Sequence, residues 1–115
     1  MYNLNNGALM SQKVIDTLNQ SLSQLEKAIQ QTKVTISKMA KADSNIMQRL
    51  DCYVEVLKKQ RILASGLDQF VKEKNWQHIS KTVELIKGSS LLIQLDTQSM
   101  ISEIVSKESL HGTVN

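Results

Sequence analysis

The residues able to make or break bonds are few and poorly spaced for it. His78 and His111 are the only histidines and Cys52 the only cysteine. Zinc needs three or four thiolate or imidazole ligands, usually supplied as closely spaced pairs. No such pair is present, so neither a metal nor another cofactor is expected. A nucleophilic thiol needs a base held beside it. Cys52 instead shares a heptad-spaced stripe with Val56, Leu63 and Phe70, where a small buried hydrophobe, slow to react with thiol reagents, is the plain reading. Asp51 and Glu55 stand four apart on one helix face, a spacing at which two carboxylates can share acid–base work. Lys58 and Lys59 follow them, and a solvated, ion-paired face accounts for all four. No glycine-rich phosphate loop occurs. The chain is therefore not expected to be an enzyme. The densest basic run, Lys58 to Arg61, is short and has Glu55 one turn before it. A phosphate-reading surface carries more excess charge than this, so nucleic acid is not an expected partner.

The elements that position these residues follow from what the composition lacks. The 115 residues include no proline and four glycines, where average usage would supply about six prolines. A chain this poor in turn formers has few tight turns, which argues against a sandwich, a barrel or a small α/β fold and favours a few long helices. Aromatic residues make up 3% of the chain, so the core must be aliphatic. The net charge of +3 is mild, and it is concentrated early: residues 10–42 hold five lysines against two acids. A lone cysteine cannot form an internal disulfide and points to a reducing compartment. The Asn-rich first ten residues lack the basic start and apolar stretch of a secretory signal, and no apolar run approaches the ~20 residues of a membrane span. A cytoplasmic protein with no membrane partner is expected.

Hydrophobic spacing divides the chain into three. Ile15, Leu18, Leu22, Leu25, Ile29, Thr32, Ile36 and Met39 step alternately by 3 and 4, the seam of a coiled-coil-like helix. The seam continues in register through Asp43, Ile46, Leu50, Tyr53, Leu57, Gln60, Ala64, Leu67 and Val71. One continuous helix therefore competes with a helical hairpin broken at Ala42–Asn45, where Asp43, Ser44 and Asn45 are all capping types. The stripe through Cys52 gives the second helix a broad face suited to touching two neighbours. Asn75 is a candidate N-cap for a third seam: Trp76, Ile79, Val83, Ile86, Ser90, Ile93, Thr97, Met100 and Ile104. The expected architecture is all-α: an antiparallel three-helix bundle, or a long helical hairpin plus a C-terminal helix, coiled-coil-like throughout. Its single domain covers 11–107, with helices at about 11–42, 44–73 and 75–106. Residues 1–10 are expected to form a disordered arm and 108–115 a frayed tail.

Leucines on the third helix carry the functional signal. Leu85, Leu91, Leu92 and Leu95 lie off its seam, roughly 120° to 160° around the helix, so this helix is apolar on nearly all sides. Two readings are open: the helix sits centrally and buries both faces, or the leucines form a face for another protein helix, either a client or a second copy in a homodimer. Gly88 lies among them, where a glycine weakens a helix by about 1 kcal/mol relative to Ala.

The layout resembles the FlgN/FliT group of flagellar type III export chaperones. The resemblance spans roughly residues 11–105. It rests on an amphipathic first helix from Ser11 to Ala42, a second helix carrying Leu57-Lys58-Lys59-Gln60-Arg61, and a third opened by Trp76 and Ile79 and followed by the leucine-rich stretch Leu91 to Leu95. The chain departs from it in being basic, whereas members are often acidic, and in lacking asparagines at 88–95. The resemblance implies a cytoplasmic chaperone that sequesters an amphipathic helical segment of a secreted structural subunit, with the client held on the third helix. The alternative is a structural coiled-coil subunit of a larger assembly.

Overall fold

A computed structural model describes residues 4–39 and 44–113, with side chains over 10–39 and 44–107. Three helices account for nearly all of it: α1 (Leu4–Ser37), α2 (Ser44–Lys72) and α3 (Trp76–Thr113), with no strand among the described residues. The fold is all-α, a three-helix bundle.

Each helix exists because its seam has a partner. Ile15, Leu18, Leu22, Ile29 and Ile36 of α1, Leu50, Val54, Leu57, Ala64 and Leu67 of α2, and Ile79, Val83, Ile86, Ile93 and Met100 of α3 form one continuous buried core. Fifteen small aliphatic side chains in a line give a rod, 73 × 22 × 17 Å, with a radius of gyration of 18.7 Å. A globular domain of this length would have a radius near 13 Å. Its accessible surface of 8215 Å² exceeds the ~6,300 Å² expected for a compact protein of this mass.

Polar contacts set the antiparallel registers. Between α1 and α2, the Lys33 ammonium pairs with Asp51, Arg61 donates to Glu26 at 2.8 Å, and Asn19 donates to Ser65 at 3.4 Å. As the residue number rises on one helix it falls on the other, so the chain doubles back and the continuous-helix alternative is excluded. Glu26 is the one buried carboxylate among the described residues, and Arg61 neutralises it.

The helix ends depart from expectation in three places. Helix α1 already runs from Leu4, where a disordered arm over 1–10 is expected from the sequence. Leu4–Met10 holds no proline and a single glycine, Gly7, which weakens a helix without stopping it, and extending an existing helix requires far less than nucleating one. At its other end α1 stops at Ser37 rather than near 42. Thr32, Thr35 and Ser37 hydroxyls bond back to the carbonyls of Ala28, Gln31 and Val34, competing with the ladder in a β-branched stretch. The last turn tightens, with Lys38 and Met39 N–H groups donating to Thr35 and Ile36 carbonyls. The four-residue segment 40–43, which holds the expected turn residues Ala42 and Asp43, lies outside the described residues. Helix α3 continues past 107 to Thr113, because no proline interrupts it.

The α2–α3 junction is compact. Lys74 takes a left-handed φ of 57°. The Asn75 N–H reaches back to the Phe70 carbonyl at 2.9 Å and the Lys74 N–H to that of Val71 at 3.1 Å, a Schellman ending. Asn75 then caps α3, its Oδ1 accepting from the His78 N–H at 3.3 Å, as an N-cap does.

Candidate helix-docking face

A repeating ladder of side-chain contacts fixes how α3 lies on α2. The Phe70 and His78 rings stack with centroids 4.0 Å apart. Gln60 Nε2 donates to Ser89 Oγ at 2.7 Å. Tyr53 Oη donates to Asp96 Oδ2, and Arg49 Nη2 donates to the same oxygen at 2.5 Å. Tyr53 and Gln60 are one heptad apart on α2, as Asp96 and Ser89 are on α3, so the register repeats without drift. The Tyr53 hydrogen bond, together with the Arg49 guanidinium, holds the Asp96 carboxyl below its ordinary 3.8 even though partial burial pushes it upward. The same bond, and then burial, raises the Tyr53 phenol above 10.0. Asp96 also raises the Arg49 guanidinium further. All three stay in their bonded protonation states across the neutral range.

That register brings exposed apolar residues level with one another. Stepping one heptad from the Phe70/His78 contact sets Leu63 opposite Leu85, and a second step sets Val56 opposite Leu92. On each helix these residues lie on the outer flank of the ladder, away from the core. Their exposures are 39% for Val56, 53% for Leu63, 74% for Leu85 and 70% for Leu92. The groove that any two helices packed side by side leave between them thus carries exposed apolar residues on both banks. Lys59 lies on the α2 bank, midway between Val56 and Leu63, and is exposed.

The four sequence-predicted leucines are all at least half exposed, but they do not form one stripe. Leu85 and Leu92 line the α2–α3 groove. Leu95, 53% exposed, stands on the outer crest of α3. Leu91 turns the other way, to an open cleft of about 510 Å³ between α3 and α1, beside Val14, Lys13 and Gln94. The central-helix alternative, with both faces of α3 buried, is excluded for these residues.

The second stripe of α2 is corrected. Cys52 is exposed, and so are Val56 and Leu63, whereas the sequence reading buries the stripe against a second neighbour. The second neighbour is present, but α2 meets α3 mainly through Tyr53 and Gln60 of its first seam; of the stripe only Phe70 packs against the core and α3, and Cys52, Val56 and Leu63 are left on the outer bank. Val56 and Leu63 therefore join the exposed apolar residues of the candidate face, which the sequence reading had assigned to α3 alone. Their heptad match to Leu92 and Leu85 was the available signal.

The other chemical candidates dissolve into separate contacts. Asp51 pairs with Lys33 and Glu55 with Lys58, the latter at 3.6 Å, so the two carboxylates do not act together. Arg61 is spent on Glu26, which breaks up the basic run. Among the described residues no group of three His, Cys, Asp or Glu side chains is arranged to hold a metal ion, and no helix is long and apolar enough to cross a membrane. What the arrangement offers is a two-banked apolar surface with helical repeat. Comparison of the chain with protein-family models, curated proteins and solved structures gives no match.

Proposed function

We propose that this protein is a helical chaperone or adaptor that binds an amphipathic helical segment of another protein along α2 and α3, and that its client is a secreted structural subunit of the flagellar or type III kind. The observation that carries the reading is the paired exposure of Val56 with Leu92 and Leu63 with Leu85 at heptad spacing. A partner helix presenting apolar residues every 3 and 4 positions fits such a groove knob into hole. The client class rests on the resemblance of the layout to the export chaperones; the groove supports only the binding of a helix.

The magnitudes suit a hold that is later released. Covering four side chains already partly shielded gains about 1–2 kcal/mol each, before the loss of translational freedom on association. A partner gripped by this face alone binds no more tightly than the micromolar range. A competing contact elsewhere can take it away.

The test is co-purification from the parent cell with two baits, the native chain and Leu85→Ser/Leu92→Ser. The native bait is expected to retain a secreted helical subunit that the variant loses, while both baits keep the same circular dichroism spectrum. Retention of the same proteins by both would contradict the reading. A variant that loses helicity would assign the leucines to a permanent assembly instead.

A further inference from the structure

The crest of α3 carries a pattern that the groove does not use up. Lys81, Leu85, Gly88, Leu92, Leu95 and Ser99 step by 4, 3, 4, 3 and 4, a second heptad seam about 140° from the core seam. Gly88 sits at its middle, inside a helix, where glycine is the poorest residue short of proline. Nothing in the fold requires it: a Cβ built there meets no atom within 4 Å. The open space at Gly88 is a notch in a row of exposed leucines.

We infer that this seam is the contact between two copies of the chain, whose α3 helices lie antiparallel about a two-fold axis passing beside Ser90. In that register Leu85 meets the partner's Leu95, and Leu92 fills the notch at the partner's Gly88. Both contacts occur twice, as a two-fold interface requires. Leu91, on the flank, meets the partner's Leu91 at the axis. At the ends Lys81 faces the partner's Ser99, and Glu84 faces the partner's Gln98, so no like charges oppose one another. A parallel pairing in register fails on the same residues. It sets Lys81 against the partner's Lys81 and Gly88 against the partner's Gly88, leaving a repulsion and a void in the seam. The seam is complementary to itself only when reversed, which identifies its occupant as a second copy. The inference does not depend on the chaperone reading, but the two share Leu85 and Leu92. A client helix and a second copy therefore compete, and the pair of copies covers the leucines while no client is bound.

Sedimentation and cross-linking of the full chain test this. The native protein is expected to sediment at twice its 13.0 kDa mass and to dissociate on dilution. In a Cys52→Ser background, Leu91→Cys is expected to link to itself through a short bismaleimide. Leu85→Cys is expected not to, because its own counterpart lies about 15 Å along the axis, yet it should link to Leu95→Cys when the two proteins are mixed. A chain that stays monomeric at every concentration overturns the inference, as does self-linking at both 85 and 95. Adding a synthetic amphipathic peptide with heptad leucines separates the two proposals. A monomer that binds the peptide removes the second copy and leaves the chaperone reading. A cross-linked dimer indifferent to the peptide does the reverse. Loss of the Leu91→Cys cross-link as peptide binds supports both.

Discussion

Helix α3 carries two stripes with the same spacing and opposite fates. Ile79, Val83, Ile86, Ile93 and Met100 are at most 5% exposed, while Leu85, Leu91, Leu92 and Leu95 are at least 53% exposed. The three consecutive residues 91–93 face three ways: Leu91 to the cleft beside α1, Leu92 to the groove beside α2, and Ile93 into the core. The difference is not one of hydrophobicity or period. A bundle of three rods gives each helix two neighbours, and those neighbours are consumed by the inner stripe. A second stripe then has no partner within the chain. Spacing thus determines which residues are adhesive, and the number of rods determines how many of them are covered. Helix α2 repeats the lesson with Leu57 fully buried beside Val56, which is exposed.

The largest effect that would break this comparison is on α2. Leu57→Ala is expected to lower stability by about 2–5 kcal/mol in urea titration, whereas Val56→Ala should stay within about 0.5 kcal/mol. Equal losses would mean the outer stripe is packed after all. Next comes the polar lock between α1 and α2. Arg61→Ala strands the carboxylate of Glu26, whose side chain is only 10% exposed, and is expected to remove about 1–2 kcal/mol, since partial exposure of the arginine moderates the usual penalty. Lys58→Ala, at an exposed pair, should be nearly silent. A gain is expected at the α2–α3 junction. Lys74→Gly relieves a left-handed backbone and should add about 1 kcal/mol, raising the melting temperature. A decrease would mean that the Lys74 side chain has a role the backbone geometry does not reveal.

The smallest expected effect concerns the rung joining Tyr53 to Asp96. Folding holds the Asp96 carboxyl below 3.8, so its contribution is present above that value and is lost as pH falls through the folded-state value. Tyr53 is raised above 10.0, so its contribution is present below 10.0 and is lost as pH rises through its own folded-state value. Melting curves across both limits check this, and Asp96→Asn should flatten the acid limb of the dependence. An unchanged limb would remove the rung from the forces that set the α2–α3 register.

The sequence made the inner stripes readable and left the outer ones open. Ile15 to Ile36 of α1 and Ile79 to Met100 of α3 were legible because each buried residue follows its neighbour by 3 or 4. Asn75 was legible as a cap because its side chain acts on its own helix. The exposed position of Cys52, Val56 and Leu63 was not legible. It depends on which side of α2 receives α3, and that is set by Tyr53 reaching Asp96 and Gln60 reaching Ser89, contacts between residues 43 and 29 positions apart. Local periodicity holds no record of such pairings. The early start of α1 at Leu4 escaped for another reason: residues 4–10 lack a seam, yet helix extension needs only the absence of a breaker.

The most direct test compares two adjacent residues on α3, under dilution sufficient to keep the chain monomeric. Urea unfolding of Ile93→Ala should show a loss of about 2–5 kcal/mol, while Leu92→Ala stays within about 0.5 kcal/mol of the native chain. Comparable losses from the two would place Leu92 inside the fold and contradict an α3 that turns one stripe inward and offers the other to a partner.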